Sequence, residues 1–222
     1  DDLYMPHTFR TVANVFARNE DVRWVTGTGA YFRETPDQIV QRMTPVSDMS
    51  IVRAMTPWRE TDGVVASQVA NVMRTNVLTE YGLFDTSLHY AMDFDYGLRL
   101  LVDGVRPYVV DEVLAKARLH DQSKTVSLSG TGAFRREQYN IIDRFLDRLS
   151  PDERAAVKRH VQEAKMYATC AHALSAPSAW KGLIHLARAI WRDPSYLNER
   201  AVLGAIRRLL FSNSSEESGT FS

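Results

Sequence analysis

The sequence predicts a mixed α/β fold followed by a purely helical region, and three observations carry that prediction. Short β-branched runs bounded by turn residues, Val22-Arg23-Trp24-Val25-Thr26 and the stretches 107–110 and 113–119, read as strands. Around them, apolar residues recur at three- and four-residue spacing, the period of an amphipathic helix. After Ser129 only that helical period remains, interrupted at Ser150-Pro151, Ala176-Pro177 and Asp193-Pro194. The chain thus divides into a mixed part, 1–129, a helical part, 130–211, and a tail, 212–222, whose serine and glutamate content predicts disorder.

Taken in order, Pro6 suits the first turn of a helix, and Phe9, Val12, Ala13 and Phe16 give it one apolar face through about Asn19. The first strand is closed by Gly27-Thr28-Gly29 as a turn, and 30–33 can continue the sheet. Across 34–62, Pro36, Pro45 and Pro57 break any long element, which predicts irregular chain with a short helix around Ile39–Met43. A connection of that length usually borders a functional cleft. The stretch 69–74 reads as extended, and Asn76–Tyr81 as a short helix stopped by Gly82. Another helix begins at Met92 or Asp93 and ends before Gly104. Four more helices are predicted at 134–149, 151–174, 178–191 and 196–210.

Composition narrows the function classes. The 222 residues are 45% hydrophobic and 24% charged, as in an ordinary globular protein, and can bury a sizeable core. With 27 basic and 27 acidic residues the formal charge is zero, so no global field draws the chain to nucleic acid. The single cysteine, Cys170, rules out an internal disulfide and a thiolate metal cluster, and its apolar helical setting makes it a core or half-buried thiol. No run approaches the length of a membrane span. Trp180, Leu183, Ile184, Leu186, Ala187, Ile190 and Trp191, with Lys181, Arg188 and Arg192 nearby, are compatible with a helix resting on lipid, although packing onto neighbouring helices carries more weight.

The residues with chemical potential cluster in two segments. Leu88-His89-Tyr90-Ala91-Met92-Asp93-Phe94-Asp95-Tyr96-Gly97-Leu98-Arg99-Leu100 is followed by Arg118-Leu119-His120-Asp121-Gln122-Ser123-Lys124-Thr125. Together they resemble the acceptor-side half of a family 2 glycosyltransferase with the GT-A fold. The opening Asp1-Asp2-Leu3-Tyr4-Met5-Pro6 is similar to the tail of that family's Asp-x-Asp metal motif. Gln68-Val69-Ala70-Asn71-Val72-Met73-Arg74 resembles its Gln-Pro-Ala-Thr-Phe-Trp-Arg strand, without the proline, and the segment from Gly82 to Leu88 its Gly-x-Phe-Asp-Glu-x-Leu run. The resemblance covers about residues 1–128.

What the resemblance implies is an incomplete GT-A nucleotide-sugar transferase sheet with flanking helices, and inverting transfer of a sugar from a nucleotide diphosphate, UDP or dTDP, to a saccharide or lipid-linked acceptor. Asp93 would be the general base. Asp1 and His120 would hold a divalent metal, Mn²⁺ or Mg²⁺, while Asp2, Arg118, Ser123 and Lys124 face the donor diphosphate and Gln68, His89 and Tyr90 the acceptor. Surface polysaccharide or glycolipid synthesis follows as the setting, in the cytoplasm or at the inner face of the membrane through the C-terminal helices, with no nucleic-acid partner. The nucleotide-binding half would precede Asp1, so that this chain by itself is expected to be inactive.

Each residue also has a plainer role. Alone, Asp93 reads as a helix cap, and only the extended match reverses that order. Asp95 and Arg99 stand four apart and are expected to form a helix-surface pair of about 0.3–0.5 kcal/mol. Gly97 takes the place of the family's tryptophan. Phe84 reads as a core anchor, Asp85 as a turn group, and a single histidine such as His120 as a hydrogen-bonding strand end; its arrival with Arg118, Ser123 and Lys124 favours phosphate contact. His7, His160, His172 and His185 lack metal-site spacing. Two rivals remain: a non-catalytic association module, and metal-assisted hydrolysis by Asp1, Asp93 and His120.

Overall fold

The computed structural model describes residues 2–45, 50–56, 68–120 and 132–211. The chain forms two compact units, Asp1–Val157 and Lys158–Ser222. The expected disordered tail, 212–222, lies outside the described residues.

The first unit is mixed α/β. Among the described residues its strands are β1 (Leu3–Tyr4), β2 (Trp24–Phe32), β3 (Ile39–Met43), β4 (Asn71–Met73) and β5 (Tyr108–Arg118). They make one sheet in the order β1-β5-β2-β3, with β4 also paired to β2. β2 and β5 are parallel, and β1, β3 and β4 run antiparallel to their neighbours. Successive side chains of a strand point to opposite faces, so the near-continuous burial of β2 means that both faces of the sheet are covered there.

β2 runs unbroken through Gly27-Thr28-Gly29, where the sequence predicts a turn. A Cβ at Gly27 would lie 2.6 Å from Leu114 Cγ and 2.9 Å from Glu112 O, so glycine is required by the close approach of β5 and not by a bend. The β2–β5 register shifts on both sides of Thr28, and the two predicted strands 107–110 and 113–119 become one irregular strand. Ile39–Met43 is an edge strand paired through Ala30↔Arg42 and Tyr31↔Gln41, not the predicted helix. Five residues amount to little more than one helical turn, which is costly to nucleate, whereas β2 offers a ready ladder.

The helix α1 (Thr8–Arg18) forms where predicted, but with its buried face turned. Thr8 and Val12 are buried with Val15 and Phe16 packed beside them, while Phe9 is 62% exposed and rests on Tyr4 with ring centroids 4.9 Å apart. Two polar anchors set that rotation: the Thr8 hydroxyl donates to Leu114 O, and His7 Nε2 donates to Val113 O at 3.1 Å. Val12 then packs with Val25, Ala70 and Leu114. Arg74 fastens the loop after α1 by donating to Val22 O and Phe16 O, both at 2.7 Å. The remaining helices of this unit are α2 (Ile51–Met55), α3 (Asn76–Tyr81), α4 (Met92–Val102) and α5 (Ala133–Phe145), and α4 packs against both α2 and α5.

The helix α6 (Pro151–Leu174) leads into the second unit, which adds α7 (Ala179–Arg192) and α8 (Arg200–Phe211). Its core gathers Met166, Cys170, Ala173, Leu186, Tyr196, Val202, Ala205 and Leu209. Burial pushes the Cys170 thiol up, as expected of a core thiol. The last α-helix starts at Arg200, not at 196, because Asp193 takes the Ser195 N–H at 3.1 Å and its hydroxyl at 2.6 Å and winds Pro194–Asn198 into a 3₁₀ turn. Among the described residues, no helix is long and apolar enough to cross a membrane.

Candidate functional site

Asp93 is the second residue of α4 and is half-buried. It does not occupy the N-cap position, which is Ala91, and Asp93 Oδ1 accepts the adjacent Phe94 N–H, at 2.9 Å. Burial raises its carboxyl above the ordinary aspartate value, with the Phe94 N–H pulling the other way. Among the described residues it has no ion pair. The result is a carboxylate whose charge is poorly compensated, the condition under which a carboxyl becomes a competent base nearer neutrality.

What holds the start of α4 is Glu137, on α5. Its Oε1 accepts the His89 N–H at 3.0 Å, and its Oε2 accepts those of Tyr90 and Ala91, both at 2.7 Å. A carboxylate therefore occupies the positive end of α4 and satisfies three consecutive donors. Burial acts to raise Glu137, yet the three N–H groups outweigh it and hold the carboxyl below its usual value. Sequence reasoning missed this residue because nothing local marks it: the pairing depends on α5 meeting α4. The rings of His89 and Tyr90, the expected acceptor contacts, meet edge to face at 6.1 Å, with His89 exposed and Tyr90 half-buried.

Asp95 is buried, 2% exposed, and this corrects the expected surface pair with Arg99. Arg99 donates to Asp95 Oδ2 at 2.7 Å, and Arg144 of α5 stands 3.8 Å from Oδ1. Arg99 also donates to Tyr81 O at 3.2 Å and Leu83 O at 2.9 Å, while Arg144 donates to Asp85 Oδ2 at 3.0 Å. This network ties the 82–91 loop to two helices, and removing one member would strand a buried charge. Asp85 is a turn group as expected, accepting the Ser87 hydroxyl at 2.6 Å and its N–H at 3.0 Å. Phe84, expected in the core, is 41% exposed and lies stacked on the buried Tyr96 at 4.5 Å. Gly97 is buried.

The second group of candidates sits where β2 and β5 finish. Asp2 Oδ1 accepts the Arg118 N–H at 3.2 Å, Arg118 Nε donates to Arg33 O at 3.2 Å, and Leu119 N–H donates to Phe32 O at 2.8 Å. The sheet thus brings Asp2 and Arg118 together, with His120 exposed immediately beyond. Gln68 is exposed at the start of the 3₁₀ turn leading into β4, whose Asn71 accepts from the buried Trp24 Nε1 at 3.0 Å. Asp1, Ser123 and Lys124 lie outside the described residues. Carboxylate and imidazole are donors that Mn²⁺ or Mg²⁺ accepts. Among the described residues, however, no three such donors come together, so they supply no complete metal centre.

Two hollows in the first unit lie apart from the candidate residues. One, of about 560 Å³, is lined by His7, Arg10, Thr11, Asn14, Glu112 and Val113 and holds none of the candidates. Within it, His7 is engaged by Val113 O and Thr11 donates to Glu112 at 3.0 Å. The other is lined by 21–23, Tyr81 and 103–108, so the C-terminal end of α4 meets the beginnings of β2 and β5. Asp93 is at the opposite end of α4, about 16 Å away along an eleven-residue helix. Comparison with known protein families and with curated proteins finds no match for the sequence, so the functional reading rests on these residues and their placement.

Proposed function

We propose that the chain is the acceptor-side portion of an inverting glycosyltransferase of GT-A type, moving a sugar from a nucleotide diphosphate to a hydroxyl acceptor in surface polysaccharide or glycolipid synthesis. The observation that carries the reading is Asp93: a half-buried carboxylate, raised by burial, at the start of a helix whose leading segment, His89 to Ala91, is held by Glu137. Asp93 takes the proton of the acceptor hydroxyl as that oxygen attacks the anomeric carbon, and the bond to the diphosphate breaks. His89, Tyr90 and Gln68 orient the acceptor. Arg118 and His120, with Asp2 beside them at the carboxyl ends of the parallel strands, and with Ser123 and Lys124, serve the diphosphate. Open sheets with parallel strands generally take ligands at that end. Where a divalent cation takes part, Asp1 and His120 are the residues that would hold it, and it would balance charge on the leaving group.

The test is a transfer assay with UDP- and dTDP-sugars and saccharide or lipid-linked acceptors, comparing wild type with Asp93→Asn in the enzyme completed by its nucleotide-binding half. Loss of the base is expected to slow transfer by about 10²- to 10⁴-fold with nucleotide binding unchanged. Wild-type turnover by the Asn variant removes Asp93 from the chemistry. In separate titrations, His120→Ala is expected to weaken donor binding more than acceptor binding, and an acceptor-only defect would take His120 off the diphosphate side.

A further inference from the structure

The helix α7 carries two apolar stripes, and only one of them is used by the fold. Leu183, Leu186 and Ile190 face the core of the second unit. Trp180 and Trp191 are 71% and 88% exposed. They stand eleven residues apart, which at 3.6 residues per turn aligns them to within about 20°, with Ala187 between them on the same stripe. Lys181, Arg188 and Arg192 form a parallel stripe about 100° around the helix, and among the described residues none of the three makes an ion pair. Two tryptophans at opposite ends of one exposed stripe are not needed for packing within this unit.

Charge says what would cover that stripe. The whole chain is neutral, with 27 basic and 27 acidic residues, but 158–211 contains nine Lys and Arg against three Asp and Glu. Arg188 and Arg192 also line a shallow hollow of about 420 Å³ with Thr169, His172 and His185, whose two imidazoles meet edge to face at 4.6 Å. An apolar stripe ending in tryptophans, flanked by unpaired cations and a basic hollow, matches the requirements of an anionic bilayer surface: indoles at the acyl boundary and guanidinium groups on the lipid phosphates. We propose that α7 is a membrane-surface helix, lying in the interface of a bilayer rich in anionic phospholipid, with the Arg188–Arg192 hollow receiving a headgroup phosphate.

Flotation of the 222-residue protein with vesicles tests this. Binding is expected to vesicles of equal parts phosphatidylglycerol and phosphatidylcholine and not to phosphatidylcholine alone, with a blue shift of tryptophan emission and loss of binding at high salt. The Trp180→Ser, Trp191→Ser double variant should bind at least about tenfold more weakly, since affinity follows buried apolar area, and Arg188→Gln with Arg192→Gln should lose about fivefold per charge. Circular dichroism melts equal to wild type would show that both variants keep the fold. Absence of binding, equal binding to neutral vesicles, or wild-type binding by either variant overturns the proposal. So does release from vesicles by millimolar glycerol phosphate, which would mean a soluble-anion site. Sedimentation showing Trp-dependent self-association without lipid would likewise assign the stripe to a second copy of the chain.

Discussion

Asp93 and Glu137 act in opposite directions at one helix end, and their titrations separate them. Asp93 has its carboxyl raised in the folded state, so its contribution to stability is fully present below the ordinary aspartate value and is lost as pH rises through the raised one. Asp93→Asn should therefore make the protein more stable at neutral pH, and under the proposed function that gain is traded against transfer; a destabilised Asn variant would point to a structural role instead. Glu137 is held below its usual value, so its stability is present above the ordinary glutamate range and is lost as pH falls through the lowered one. Glu137→Gln should cost about 1–3 kcal/mol in denaturant unfolding and flatten the acid limb, because three charge-assisted N–H bonds are weakened. The two residues differ in legibility for a plain reason. Asp93 stands in a local motif, whereas Glu137 is identified only by a partner far along the chain.

Among the elements, two close approaches are made possible by glycine, and each predicts a measurable loss. Gly27→Ala puts a methyl into Leu114 and the Glu112 carbonyl, where β2 and β5 change register. Gly182→Ala drives one into the Ala173 carbonyl oxygen, where α7 crosses α6. Either substitution should destabilise by about 1–3 kcal/mol in denaturant melts, the cost of overpacking, although alanine is the better helix former at the second site. Retained stability in Gly182→Ala would mean that the two helices separate readily. The helices α3 and α4 have the bounds their sequences predict because Gly82, with φ of 82°, and Gly104 end them locally. By contrast β3, an exposed edge strand, has no pattern of its own and owes its form to β2. The buried face of α1 differs from the one its apolar spacing predicts because Thr8 and His7, both polar, make the contacts that fix it.

For the molecule as a whole, acidification removes more than it returns. Asp85, Glu137, Glu153 and Asp193 are all held below their usual values, three of them with serine hydroxyl or N–H donors, and among the described residues Asp93 alone of the shifted carboxylates is raised. The melting temperature should therefore fall steadily as pH drops below the ordinary carboxylate range, and a protein that melts higher there than at neutrality would contradict these hydrogen bonds. The change at 130 from mixed to helical sequence and the division of compact units after Val157 are different events, since α5 is helix yet packs on α4 in the first unit. By itself the sequence determined the mixed α/β class, most helices, the punctuation between them and the resemblance that singles out Asp93, because periodicity, glycine and proline act within a few residues. Only the tertiary structure decided that Gly27 lies inside a strand, that Asp95 is buried between two arginines, that Glu137 holds the start of α4 and that Trp180 and Trp191 are left uncovered. Those features depend on which surfaces meet, and that is settled by packing between distant segments.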